Sequence, residues 1–218
     1  MAESKTVFLA GASRGVGRAI ANLLSVQNYR VHALLRQPNV QFDLEALGIQ
    51  VHFGDALDSD AVHRAVAASA PVDAVISTVG GLPRDGGGDR ADYLGNKHLI
   101  DAAVATHAGR FILISSIGAG ESAPALPAQA MAVLGPVLAE KEKAEAHLIA
   151  SGLTYTVIRP GGLLSAPTTG QGLLTENPTV SGSIHRADVA QLVCECLKNA
   201  ETCDKVFSAV DRQLIRSN

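Results

Sequence analysis

The chain has 218 residues, 47% hydrophobic and 18% charged, enough apolar mass for one sizeable α/β core and at most a small additional lobe. A net charge of −3 gives no electrostatic reason to expect nucleic acid or an anionic membrane as a partner. No apolar run is long enough to span a bilayer, and the start Met-Ala-Glu-Ser-Lys-Thr lacks the apolar core of a signal peptide. Three cysteines, Cys194, Cys196 and Cys203, crowd one end without Cys-x-x-Cys spacing, which argues against a disulfide framework or a zinc site. Cys194 shares a helical stripe with Ala190, Val193 and Leu197 and is expected to be a small core residue. A cytoplasmic protein with no metal is expected, and a monomer is compatible with this composition.

Residues 7–10, Val-Phe-Leu-Ala, read as a buried strand that runs into Gly11-Ala-Ser13-Arg14-Gly15-Val16-Gly17. An amphipathic segment follows, with Val16, Ile20, Leu23 and Leu24 on one helical face. Strand, glycine turn and helix in this order form the phosphate-binding corner of a dinucleotide fold: small residues let the backbone approach a pyrophosphate, and the helix start offers unpaired N–H groups. A tight turn without a ligand is the plain alternative. No Gly-Lys-Ser/Thr follows, so the turn is not a P-loop. The spacing Gly-x-x-x-Gly-x-Gly resembles the short-chain dehydrogenase/reductase superfamily more than the two-domain dehydrogenases.

Residues 30–36 form the predicted second strand, and what stands at its end selects the cofactor. An acidic residue there holds a ribose 2′-OH, whereas a basic one receives a 2′-phosphate. The residue is Arg36, and Arg14 lies in the glycine turn on the same side, so NADP(H) is expected over NAD(H) unless both arginines are ordinary surface residues. The third strand, 49–54, ends before Asp55 and Ala56. This resembles the superfamily's Gly-Asp pair beside the adenine, though Asp55 also suits the start of the helix at 58–69. Residues 72–80 read as the fourth strand and a small-residue turn in which Ser77, Thr78, Val79 and Gly80 pass beneath the cofactor ribose. A glycine-rich surface loop is predicted at 81–90, then a helix at 92–106 carrying Asn96, as the family does.

The fifth strand, 110–116, ends in Ser115 and Ser116, where the superfamily keeps a serine that touches the substrate carbonyl or the nicotinamide. An Ala/Pro-rich stretch, 118–135, is expected over the site mouth, followed by a helix at 133–150. The superfamily's catalytic pair is Tyr-x-x-x-Lys. Here Lys141 stands on the apolar face with Val137 and Leu148, and the residue four places before it is Val137 rather than tyrosine. Lys141 either snorkels over the core or holds the nicotinamide ribose. The run from Lys141 to Tyr155-Thr-Val-Ile-Arg-Pro160-Gly161 resembles the atypical short-chain NAD(P)H-binding reductases, which include flavin and biliverdin reductases.

That resemblance implies that Pro160, Gly161 and Gly162, after the sixth strand, lie beside the nicotinamide amide. Residues 163–183 are predicted as a loop forming the far wall, 183–190 as the start of a helix with Asp188 near its N-terminus, and 206–210 as a last short strand. The expected fold is α/β, a single Rossmann-type doubly wound and mostly parallel sheet of order 3-2-1-4-5-6 with a final edge strand. One NADP(H)-binding domain is expected over 1–218, with a small substrate-side lobe at about 161–200.

Without the phenolic acid, the chemistry expected is NADPH-dependent hydride transfer to a planar conjugated acceptor (a flavin, bilin or quinone), with Ser115 or Ser116 meeting the acceptor. The alternative is an NADP(H)-binding redox sensor or assembly factor with little turnover. A sugar-nucleotide epimerase fits less well, since it uses the missing tyrosine.

Overall fold

In the computed structural model, residues 4–80 and 91–216 are described. The glycine-rich segment predicted as a loop at 81–90 lies outside them. The elements, in chain order, are β1 (Thr6–Ala10), α1 (Gly15–Ser25), β2 (Arg30–Leu35), α2 (Gln41–Glu45), β3 (Gln50–Phe53), α3 (Ser59–Ala68), β4 (Ala74–Ser77), α4 (Leu94–Ala105), β5 (Phe111–Ile114) and α5 (Ala128–Ala150). They continue through β6 (Tyr155–Pro160), β7 (Gly162–Leu164), β8 (Gly172–Thr175), β9 (Ser181–His185), α6 (Arg186–Cys196), β10 (Lys205–Asp211) and β11 (Ile215–Arg216).

The main sheet has the order β3-β2-β1-β4-β5-β6-β10-β8. Every pairing from β3 to β10 is parallel, and β8 closes the edge by pairing antiparallel with β10. The expected order 3-2-1-4-5-6 followed by a last strand is therefore present, with β8 added outside that last strand. Strands buried on both faces divide their side chains by alternation. From β1, Val7 and Leu9 pack with Ile20 and Leu24 of α1 and Val189 and Val193 of α6. Phe8 and Ala10 face the other way, toward Val62 of α3, Leu99 of α4 and Leu148 of α5. Two helical layers thus sandwich one sheet, and the order reverses between β1 and β4, the switch point beside which dinucleotides bind.

One prediction is corrected. Residues 163–183 are not a simple loop: they contribute to β7, β8 and β9, and β7, β9 and β11 form a second, three-stranded sheet. A Cβ on Gly161 would strike the carbonyl oxygen of Gly182, so glycine there permits the chain to leave β6 and pair Gly162 with Ser183. The helix predicted from 133 starts earlier, at Ala128, behind Pro127, whose extended backbone supplies the N-terminal boundary. Among the described residues no helix is long and apolar enough to cross a membrane.

Candidate functional site

The parallel strands end along one edge, and the predicted site residues collect there. Gly11 (φ +93°) turns the chain out of β1, and Gly15 (φ +59°) starts α1 in a conformation that other residues rarely adopt. A Cβ on Gly17 would overlap the Gly11 carbonyl oxygen and come within 2.5 Å of Thr78 Oγ1. Thr78 explains that closeness: its hydroxyl donates toward the carbonyls of Ala10 (3.1 Å) and Gly11 (3.3 Å), and its N–H donates to Ala10 O (3.0 Å). The turn is thereby stitched to the end of β4. Arg14 occupies the N-cap without a side-chain cap bond, and Ser13, Arg14 and Gly15 are exposed. The first N–H groups of α1 consequently face the cleft with no acidic side chain in the first turn. A glycine cradle, open amides and a neighbouring cation fit a dinucleotide's phosphates.

Arg36 leaves the end of β2 exposed, with Nη1 4.0 Å from Asp55 Oδ2 beyond β3. Asp55 also accepts the Leu57 N–H (3.0 Å), while the cap of α3 is Asp58, whose carboxylate accepts from the N–H groups of Asp60 and Ala61. So Asp55 is not the cap of that helix, and an exposed arginine and carboxylate stand together where the adenosine end would lie. Ala56 beside them turns its carbonyl to His98 Nδ1 (2.9 Å).

Ser77 and Asn96 are buried and act beneath the surface. Ser77 Oγ donates to Asn96 Oδ1 (2.5 Å) and accepts the Val79 N–H (3.2 Å), while Asn96 Nδ2 donates to the carbonyls of Val79 (3.2 Å) and Asp92 (2.7 Å). This network holds the backbone of the Ser77–Gly80 turn and keeps the Ser77 side chain away from the cleft. Above it, Lys141 Nζ reaches from α5 to Asp92 Oδ1 (3.1 Å), a carboxylate with no solvent exposure. A Cβ on Gly80 would sit 2.9 Å from that ammonium, so Lys141 does not snorkel to solvent but ends beside the turn.

The two serines after β5 diverge. Ser115 is buried and its hydroxyl donates to Glu145 of α5, whose carboxylate also holds Arg159 of β6 through Nε (3.1 and 3.2 Å) and Nη2 (2.5 Å). Ser116 is partly exposed and donates to the Ile117 carbonyl (3.0 Å). Of the two, only Ser116 therefore keeps appreciable solvent exposure. Pro160 and Gly161 are similarly committed: the Pro160 carbonyl accepts from Ile117 and the Gly161 N–H donates to Ala209, both at 2.9 Å, and exposed Gly162 begins β7, paired with β9.

The far wall is fastened by Asp188, in the first turn of α6 and 1% exposed. Burial works to raise its pKa, but hydrogen bonds from Thr168, Thr169 and Gly170 outweigh this and hold the carboxyl below its ordinary value. Thr169 Oγ1 also reaches Asp211 Oδ2 (2.6 Å), and His185 Nδ1 lies 3.6 Å from Asp188 and 3.9 Å from Asp211. These groups cluster closely enough to resemble a metal set, yet the donors from 168–170 occupy the Asp188 carboxylate and make it a clasp for the wall. From the same helix Arg186 extends over the glycine turn, its Nε 3.8 Å from where a Gly15 Cβ would stand.

Glu145, Arg159, Asp92 and Arg186 were not singled out from sequence. The signal for the first pair was present: a carboxylate four residues after Lys141 on a partly apolar helix face, and an arginine inside a buried strand. Asp92 and Arg186 carry no such pattern.

A family model for NAD(P)H-binding proteins matches residues 11–200. The chain belongs to that family. It is also similar to the anaerobilin reductase ChuY of Escherichia coli O157:H7, with 34% identity, a TM-score of 0.87, and 98% of this chain and 100% of that one covered. A protein of Bacillus subtilis (strain 168) called the uncharacterized sugar epimerase YhfK is 31% identical over 208 residues, 94% of each chain. The pea chloroplast protein TIC 62 is 36% identical over 118 residues, 51% of this chain but 22% of that longer protein. The resemblance to atypical short-chain reductases drawn from the sequence thus holds across the fold.

Proposed function

We propose that the protein is an NADPH-dependent reductase whose acceptor is a planar conjugated molecule, a bilin-type tetrapyrrole first among them. The observation that carries this reading is the setting of Lys141: it is held at Gly80 by Asp92, and Val137, one turn earlier on α5, stands where a phenol would have to be. A bound nicotinamide nucleotide would supply the hydride. Lys141 positions the ribose, the turn over Thr78 holds the phosphates, and Ser116, the more exposed of the two serines after β5, offers its hydroxyl to the acceptor. A simple carbonyl needs a proton delivered to its developing alkoxide, whereas a conjugated acceptor spreads the charge and can take its proton from water. Binding and orienting two flat partners is then most of the catalysis. The similarity to ChuY supports the bilin, and a sanguinarine reductase of Eschscholzia californica, 33% identical over 124 residues, supports reduction of planar conjugated systems in general. Flavins and quinones remain within the same class.

Arg36 and Arg14 support NADPH over NADH. A charge-assisted bond to the 2′-phosphate contributes about 1.5–3 kcal/mol, so Arg36→Ala should narrow the NADPH preference by roughly ten- to a hundredfold. The test follows NADPH oxidation by absorbance with biliverdin, FMN, riboflavin and a quinone, alongside titrations of both nucleotides. Equal wild-type affinity for NADPH and NADH would end the assignment of Arg36. Tight nucleotide binding without oxidation by any acceptor would favour the second reading, an NADP(H)-binding sensor or assembly factor, for which the absence of the phenol is equally suitable.

A further inference from the structure

We infer that Arg186 is a clamp for the nucleotide pyrophosphate, delivered from the wall opposite the glycine turn. The inference rests on a nicotinamide nucleotide lying in that turn, and it assigns a residue outside the glycine motif to its phosphates. Arg186 opens α6 directly after β9, and its half-buried side chain crosses the cleft toward Gly15. At the point where a Gly15 Cβ would stand, the atoms that come within 4 Å are Arg186 Nε (3.8 Å) and Cδ (3.9 Å). The space that a side chain at Gly15 would fill is thus bounded by the Arg186 side chain.

The side chain is held there. Nη1 donates to the Leu163 carbonyl (3.2 Å) and to Ser165 Oγ (2.7 Å), both on the wall, whereas Nε and Nη2 take no hydrogen bond among the described residues. A flat fork with Nη1 tethered and Nε beside the glycine turn suits a diphosphate: the geometry is set before binding, so little side-chain freedom is lost on forming the new bonds. Arg14 approaches from the turn, Arg36 from the adenosine end and Arg186 from above. The three cations therefore divide the ligand's negative charge among separate groups. Because Arg186 is bonded to residues 163 and 165, the pyrophosphate clamp and the acceptor-side wall share one anchor.

The test compares NADPH, NADH and adenosine 2′-phosphate, which has no pyrophosphate, by calorimetry on wild type, Arg186→Ala, Arg186→Lys and Arg36→Ala. Arg186→Ala should weaken NADPH and NADH by the same factor, roughly ten- to a hundredfold, and leave adenosine 2′-phosphate within about twofold. Arg36→Ala should do the reverse, weakening adenosine 2′-phosphate and NADPH while sparing NADH. Arg186→Lys should fall between, keeping the charge and losing the tether. The clamp is overturned if Arg186→Ala binds both dinucleotides as wild type does, or if it weakens all three ligands alike with a lowered melting temperature. Wild type that binds neither dinucleotide would remove the nucleotide reading, and the clamp with it.

Discussion

Glu145→Ala should be among the most damaging single substitutions outside the glycine turn. The carboxylate is 4% exposed and its partner Arg159 is 8% exposed, so each charge is largely cut off from water. Glu145 accepts from Arg159 Nε and Nη2 and from the Ser115 hydroxyl; truncation strands a guanidinium and a hydroxyl together. Breaking a buried pair from one side costs about 3–5 kcal/mol. At about 2–4 °C per kcal/mol for a chain of this size, the melting temperature should fall by about 6–20 °C. A groove of about 310 Å³ lined by Glu145 and Arg159 admits some solvent and favours the lower half of that range. Thermal melts of Glu145→Ala, Arg159→Met and the triple change Ser115→Ala/Glu145→Met/Arg159→Met provide the assay. The triple variant should melt well above either single, since an apolar replacement removes the stranded charge as well as the bond. A Glu145→Ala melt within about 2 °C of wild type, or a triple variant no better than the singles, would refute this account of the pair.

Three further outcomes are expected. Gly17→Ala forces a methyl into the Gly11 carbonyl and Thr78 Oγ1, so it should destabilise the fold by about 1–3 kcal/mol and abolish measurable NADPH binding, checked by melting and calorimetry. The stacked pair His32 and His52 is held below its ordinary pKa of 6.5, chiefly by burial, so the unfolded chain takes up protons that the folded one resists. Stability should be complete above about pH 6.5 and fall as the pH drops toward the lowered values, and His32→Gln should flatten that slope in melts across the range. Burial pushes the Cys194 thiol up to about 11, so in the native protein a thiol reagent should modify the half-exposed Cys203 first and leave Cys194 unlabelled until denaturant is added.

The glycine turn, the order of the parallel strands and the position of Lys141 were legible because each rests on local pattern: a turn that only glycine allows, buried β runs at even spacing, a lysine on an apolar face. Ser77 illustrates the limit. Its place at the end of β4 was readable, but its inward hydroxyl depends on Asn96, nineteen positions away on α4, and no local signal joins the two. Ser115 and Ser116 are adjacent and chemically alike, and only the buried Glu145–Arg159 pair distinguishes them. The strands β7, β8 and β9 are not legible in the sequence because they are three to five residues long, each contains a glycine, and their pairings with each other, β10 and β11 join distant segments, so no periodicity accumulates. Arg186 follows β9 in this hidden region, which explains why its reach to Gly15 was invisible.

The clasp at Asp188 has a practical consequence for evolution and for design. It grips residues 168–170 by the N–H groups of Thr169 and Gly170 and the hydroxyls of Thr168 and Thr169, so the tip of the wall is secured without help from the exposed side chains at 163, 164, 166 and 167. Those positions can be exchanged wholesale, as in a library that swaps Leu163, Leu164, Ala166 and Pro167 for aromatic or polar residues, and the scaffold beneath should fold as before. Under the proposed function, such a library would vary acceptor choice while leaving the Asp188 clasp, and the Leu163 carbonyl and Ser165 hydroxyl that hold Arg186, in place.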